Sequence, residues 1–226
     1  MEYESNGHEK EKKWCCMKEF LIRIYFLFRR VFFPGSNSFW KKNYSNGGTS
    51  GPGSYGELAQ FKAEFLNTFV RENSIASVIE LGCGDGNQIS YFDFPNYIGI
   101  DISREAISMC KEKNTRDNYV FYEHDPKFPL SRLGIFKADL TLSLDVIYHL
   151  VEKNIYLRHL ELLFESSNRF VVIYGHNSNK FFPEDFTHPR EFTSDISKLY
   201  PNWNLIEHVK NEFTSWSDFY VYKKSD

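Results

Sequence analysis

Glycine stands at alternate positions in Glu80-Leu81-Gly82-Cys83-Gly84-Asp85-Gly86-Asn87, directly after the apolar pair Val78-Ile79. A buried strand running into such a turn brings bare backbone up to a ligand, because no Cβ stands in the way. Asp101 lies 19 residues beyond Gly82, at the end of a second apolar run from Asn96. That spacing suits a carboxylate accepting from the two ribose hydroxyls of an adenosine. A dinucleotide turn has wider glycine spacing and aims a helix N-terminus at a pyrophosphate. Here the spacing is tighter, and Glu80 and Asp85 place negative charge on both sides. Phosphates would be repelled, whereas a sulfonium with an amino group would be attracted. The pattern points to S-adenosylmethionine and away from a NAD(P) oxidoreductase.

The elements around this turn are legible from periodicity. Leu58, Phe61, Phe65 and Phe69 recur at helical spacing over 55–72. Strands are expected at 77–81, 96–101, 119–122, 138–144 and 169–174, with a closing pair at 203–209 and 218–222. Ser103 reads as the N-cap of a helix over 104–113. Further helices are expected over 147–165, broken near Glu152, and near 193–200. Strand–helix alternation with short connections predicts an α/β, mostly parallel seven-stranded sheet, its last two strands an antiparallel hairpin.

Composition limits the alternatives. At 226 residues with 42% hydrophobic residues, 22 Phe, 14 Tyr and 4 Trp, the chain can bury a core and is not disordered. Four cysteines do not make a disulfide scaffold, so a reducing, cytoplasmic setting is the default. The net charge of −3 argues against a general nucleic-acid binder. That figure conceals an asymmetry. Residues 10–30 carry seven basic and two acidic side chains, a net +5, which leaves −8 on the rest. Three zones follow: a basic-aromatic leader at 1–33, a Gly/Ser-rich lid or linker at 34–56, and one domain at 57–226. The leader stretch 18–33 reads as an amphipathic helix suited to an anionic membrane surface, or to its own domain or a partner. Arg23 interrupts its apolar run, unlike a secretory signal. Cys15-Cys16 is a candidate lipidation pair in a eukaryotic host.

The run from Glu80 to Gly86 resembles the first motif of class I S-adenosylmethionine-dependent methyltransferases, and the Rossmann-like sheet is the fold that this resemblance implies. By the same resemblance Asp101, with Ile102 beside it, holds the ribose. His124-Asp125 is similar to the adenine-contacting position. Leu144-Asp145, within Leu142 to Leu150, resembles the fourth-strand motif beside the methyl donor. Trp40, Tyr44, Gly48, Ser50-Gly51 and Gly53-Ser54-Tyr55-Gly56, the helix residues Phe61-Lys62-Ala63, and the run from Ser143 to Leu150 together resemble methyltransferases that accompany glycosyltransferases in polysaccharide and glycoconjugate pathways. This implies a lid contributing Tyr44, Gly51 and Ser54 to the donor, a sugar or glycan hydroxyl as acceptor, and glycosyltransferases of the same pathway as partners. A methyltransferase for another small hydroxyl or amine compound, and a non-catalytic donor-binding module, share the same donor motif.

A hydroxyl acceptor is a poor nucleophile, so a base is expected, and histidine titrates in the right range. His149 lies four residues after Asp145, which would put both on one helical face, with Tyr148 beside them. His176 follows the fifth strand, where residues face the ligand crevice. His188 and Arg190 sit in an aromatic-flanked loop whose donors suit an oxygen-rich acceptor. His8, His159 and His208 read as structural or solvent-facing. Asp145, His149 and His176 could be drawn as metal ligands, but no tight histidine pair supports it and no metal is expected. Cys83 reads as a small turn residue, and Cys110 as core.

Overall fold

The structure, a computed structural model, describes Met17, Leu21 and residues 32–125, 136–180, 186–214 and 216–225. The leader helix expected over 18–33 therefore lies outside the described residues, except for Leu21, Phe32 and Phe33. The described strands are β1 (Val78–Leu81), β2 (Tyr97–Asp101), β3 (Tyr119–Glu123), β4 (Ala138–Leu144), β5 (Ser167–Gly175), β6 (Trp203–Val209) and β7 (Asp218–Lys224). The helices are α1 (Ser36–Ser45), α2 (Gly56–Glu72), α3 (Arg104–Lys113), α4 (Lys153–Glu165) and α5 (Phe192–Leu199).

All seven strands form one sheet in the order β3-β2-β1-β4-β5-β7-β6. Pairing is parallel from β3 through β5, and β7 runs antiparallel to both β5 and β6. This is the Rossmann-like architecture expected from the alternation. The chain builds outward from β1 to β3, then returns to place β4 on the other side of β1. The strand order reverses there, and an open α/β sheet has its binding crevice at the carboxyl ends of those two strands. The glycine turn after β1 and Asp145 after β4 both emerge at that point.

Alternation along each strand divides the core into two layers. Val78, Leu140, Leu142, Phe170 and Val172 face one way and pack with Leu66, Phe69 and Val70 of α2 and Ile107 and Cys110 of α3. Ile79, Leu81, Val171 and Ile173 face the other way, against Leu160 and Leu163 of α4 and Ile196 of α5. Glu80 falls on the α2/α3 side, so a carboxylate is built into that apolar layer. The residues buried on α2 are Ala59, Lys62, Ala63, Leu66, Phe69 and Val70. This stripe is rotated from the aromatic one read in the sequence: Phe61 and Phe65 pack at its margin.

Two local differences matter for the site. The stretch 34–56, read as lid or linker, contains the helix α1. The expected break near Glu152 is real: Ile147–His149 forms a single 3-10 turn, and α4 starts at Lys153. Asp145 has φ 58, outside any helix, so Asp145 and His149 do not share a helical face.

The glycine turn is held from below by α3. Gly86 has φ +78, and a Cβ there would lie 2.9 Å from the Cα of Cys110. Backbone cannot rotate out of the way as a side chain can. Gly86→Ala is therefore expected to cost about 2 kcal/mol or more, a fall in Tm of roughly 4–8 °C in a chain of this size. A thermal melt within about 1 °C of wild type would show that the turn is not clamped by α3.

Candidate active site

A cleft of about 990 Å³, counting its open mouth, lies over the carboxyl ends of β1, β2 and β4. Its floor is the glycine turn, with Gly82, Cys83 and Gly84 in the wall. Apolar surface comes from Leu81, Ile100, Ile102, Leu144 and Val146. Set into this surface are three carboxylates, Glu80, Asp101 and Asp145, and one ammonium, Lys62.

Each carboxylate has built-in partners. Asp101 accepts from the N–H of Gly84 at 3.0 Å and of Ser103 at 2.9 Å. Burial pushes its carboxyl up to about 6, against the pull of those N–H groups. Glu80 accepts from the Tyr97 hydroxyl. Burial pushes Glu80 up to about 7, offset in part by that hydroxyl and by the Lys62 ammonium. Asp145 accepts from Lys62 Nζ at 2.8 Å, the Tyr148 hydroxyl at 3.0 Å and the Ser217 hydroxyl at 3.1 Å.

The helix α1 crosses the cleft as a strap. Ser36, Asn37, Trp40 and Tyr44, spaced at helical intervals, line it from above. No N-cap side chain precedes the helix, and Gly35 stands in that position. Glu152 supplies the missing acceptors instead, taking the Ser36 N–H at 3.0 Å and its hydroxyl at 2.7 Å. The other end is latched to the glycine turn. Ser50 gives its N–H to Asp85 Oδ2 at 3.0 Å and accepts the Asp85 N–H on its hydroxyl at 2.9 Å. The Tyr55 hydroxyl donates to the same carboxylate at 2.6 Å, and the Asn87 amide to the Ser54 carbonyl at 2.7 Å. Burial works against charge on Asp85, but the Tyr55 hydroxyl and the Ser50 and Asn87 N–H groups outweigh it and hold its carboxyl below the usual range.

The sequence-derived donor residues divide accordingly. Tyr44, Ser54, Glu80, Gly82, Cys83, Gly84, Asp101, Ile102, His124, Leu144 and Asp145 line the cleft. Gly51, Asp85, Gly86, Asn87 and Asp125 do not. Asp85 and Asn87 secure the strap, Gly86 packs on α3, and Asp125 accepts from Asn37 of α1 at 3.4 Å.

On the acceptor side, His149 alone of the candidates lines the cleft. Its Nδ1 lies 3.1 Å from the Phe186 carbonyl, which can only accept, so the proton is on Nδ1 and the lone pair on Nε2. Burial holds His149 down at about 4, so the ring is neutral at physiological pH. Trp40 meets it edge-on at 4.9 Å, and Phe186 stacks on it at 5.6 Å. His176 stacks on Trp216 at 4.0 Å and bonds its carbonyl through Nδ1. The His188 N–H bonds the Tyr148 carbonyl at 2.6 Å. Arg190 donates to the carbonyls of Leu150, Val151 and His188 and lies over the Tyr156 ring. It braces the loops behind the site. Among the described residues no cluster of three or more His, Cys, Asp or Glu could hold a metal ion.

Sequence reasoning gave Lys62 no role in the site, passed over Gln88, and read His159 as structural or solvent-facing. Lys62 interrupts the apolar stripe of α2, which was the available signal. His159, in the cleft wall, pairs through Nε2 with Ser143 Oγ at 2.8 Å, and burial holds it at about 4. Gln88 donates to the Ala59 carbonyl, while its buried Oε1 has no partner among the described residues.

These features fit S-adenosylmethionine. The apolar walls suit an adenine, Asp101 a ribose diol, and the excess of carboxylates over ammonium a cation. Gln88 Oε1 is a buried acceptor left for a ligand N–H. The same acids disfavour a pyrophosphate.

The burial of Glu80 has a measurable cost. Its carboxyl titrates near 4.5 in the unfolded chain and about 7 in the folded one. The folded state therefore holds the proton longer, and stability is lost as pH rises through that window. Glu80→Gln should stabilise the donor-free protein by up to about 3 kcal/mol at pH about 8, and by far less at about pH 5. Thermal melts at the two pH values check this, and an equal effect at both would contradict it.

The chain matches, over residues 72–222, the family described as Methyltransferase domain. Solved structures with the same fold include the N-methyltransferase NodS from Bradyrhizobium japonicum WM9 with S-adenosyl-L-homocysteine, at 11% identity and a TM-score of 0.65, covering 85% of this chain and 100% of that one. Magnesium protoporphyrin IX methyltransferase from Synechocystis PCC 6803 with bound SAM aligns at 17% identity and 0.56, covering 74% and 79%. The methyltransferase domain of bacterial CtHen1 aligns at 20% and 0.58, covering 75% and 100%. No curated protein sequence matches. With the family match spanning most of the chain and the cleft shaped for a cationic adenosine, this protein belongs to the class I methyltransferases that use S-adenosylmethionine as methyl donor.

Proposed function

We propose that the protein methylates a hydroxyl group of a sugar or glycoconjugate. The observation that carries this reading is His149, a half-buried neutral imidazole in the cleft wall with its lone pair on Nε2. S-adenosylmethionine supplies a methyl group that needs no further activation. What remains is to remove the acceptor's proton, which a hydroxyl requires and a neutral amine does not. His149 Nε2 takes that proton, and the Asp145 carboxylate favours the charge that forms on the ring. The indole of Trp40, which lines the cleft beside His149, suits the C–H face of a sugar. The resemblance of the segment from Trp40 to Gly56 to glycan-associated enzymes supports the same acceptor class.

Methyl transfer to nitrogen is the second reading, favoured by the likeness to NodS, an N-methyltransferase. The net −8 outside residues 10–30 speaks against an RNA acceptor. The basic-aromatic leader supports work at the cytoplasmic face of an anionic membrane, next to glycosyltransferases, on a lipid-linked glycan. No helix among the described residues is long and apolar enough to cross a membrane.

Release of S-adenosylhomocysteine should be followed with free sugars, nucleotide sugars, lipid-linked glycans on anionic vesicles, and matched amines. The expected product carries an O-methyl group by mass spectrometry, with lipid-linked acceptors preferred. His149→Gln should lower kcat about 100-fold and leave donor affinity unchanged. Turnover of amines alone, or full activity in His149→Gln, would overturn the reading.

A further inference from the structure

Lys62 is 1% exposed and sits on the buried stripe of α2 between Ala59 and Leu66. Its Nζ bonds Asp145 Oδ2 at 2.8 Å and lies 5.2 Å from the centre of the Tyr174 ring. A methionine could fill similar space with no charge to desolvate, and burying an ammonium is costly unless it is paired. The specific contribution of the charge is therefore its action on the carboxylates around it.

Asp145 is the more constrained partner. It holds φ 58, a left-handed conformation that non-glycine residues rarely adopt, with its N–H fixed by the Tyr174 carbonyl at 2.8 Å. The strap approaches so closely that a Cβ on Gly53 would lie 2.8 Å from Asp145 Oδ2. The ammonium also draws on Glu80, the other carboxylate on this side of the cleft. Two acids thus share one buried base in the cleft wall.

We infer that Lys62 is the charge-setting residue of the donor cleft: it fixes the Asp145 carboxylate and offsets its charge, so that the cleft discriminates only weakly between the cationic donor and its neutral product. Methyl transfer removes the positive charge from sulfur. A strongly anionic wall would stabilise the donor more than the transition state, in which that charge is already dispersed. Lys62 limits this ground-state stabilisation. It acts through Asp145 and the potential of the cleft, as a positioning residue. The inference rests on the donor assignment and is independent of the acceptor.

The test is calorimetric and needs no acceptor. The Kd values of S-adenosylmethionine and S-adenosylhomocysteine are measured at about pH 8, where Glu80 is ionised. Lys62→Met should shift the affinity ratio about tenfold toward the cationic donor. Asp145→Asn, which keeps a residue tolerant of left-handed backbone, should shift it by a similar factor toward the product. Lys62→Arg should stay within about threefold of wild type. A merely structural lysine would weaken both ligands together and leave the ratio alone. An unchanged ratio in Lys62→Met, or a shift in Lys62→Arg as large as that in Lys62→Met, would overturn the inference. Should Lys62→Met fail to fold, an unchanged ratio in Asp145→Asn would overturn it equally.

Discussion

Carboxylates withdrawn from water at the ends of three adjacent parallel strands set the terms for the rest of this structure. Glu80 is the third residue of β1, Asp101 ends β2, and Asp145 follows β4. A bare carboxylate in such a place would cost several kcal/mol. Asp101 is made tolerable by backbone, through the N–H groups of Gly84 and Ser103. Glu80 depends on the hydroxyl of Tyr97, itself buried in the α2/α3 layer. Asp145 draws one bond each from α2, the 147–149 turn and the residue preceding β7. The packing of both faces is thereby tied to the positions of the acids.

The strap shows the same dependence from the other direction. A ten-residue helix without its own N-cap, rich in Ser, Asn and Lys, is marginal in isolation. It exists here because Glu152, 116 residues away, receives its first N–H and hydroxyl. At its far end the Ser50–Asp85 exchange joins the segment after α1 to the glycine turn. The bonds that make the strap a structured element are also those that roof the donor cleft.

Much of this was readable in the sequence, for identifiable reasons. Strands β1 to β5 and β7 carry apolar runs or clear alternation, and the Gly82–Gly86 turn with Asp101 has a distinctive spacing. The donor was legible because Glu80 and Asp101 argue directly about ligand charge and ribose binding, although Asp85, the other flanking acid, does not line the cleft. What escaped were the features set by distant residues. Asp85 looked like a donor contact by adjacency to the glycines, yet its bonds go to Ser50, Tyr55 and Asn87. The α1 helix was hidden because its cap lies far along the chain. Arg190 has the chemistry of an acceptor clamp, but its guanidinium closes on the carbonyls of the 150–151 loop. Lys62 was visible as a break in an apolar stripe and as part of the Phe61-Lys62-Ala63 resemblance, but nothing local could reveal Asp145 as its partner.

The central claim is that these buried acids make the cleft a site for a cationic adenosine donor, with Asp101 on the ribose. Isothermal titration of the wild-type protein and Asp101→Ala with S-adenosylmethionine and with NAD tests it most directly. The wild type should bind S-adenosylmethionine, Asp101→Ala should bind it about tenfold or more weakly, and neither should bind NAD. Binding of NAD without S-adenosylmethionine, or equal donor affinity in the two proteins, would contradict it.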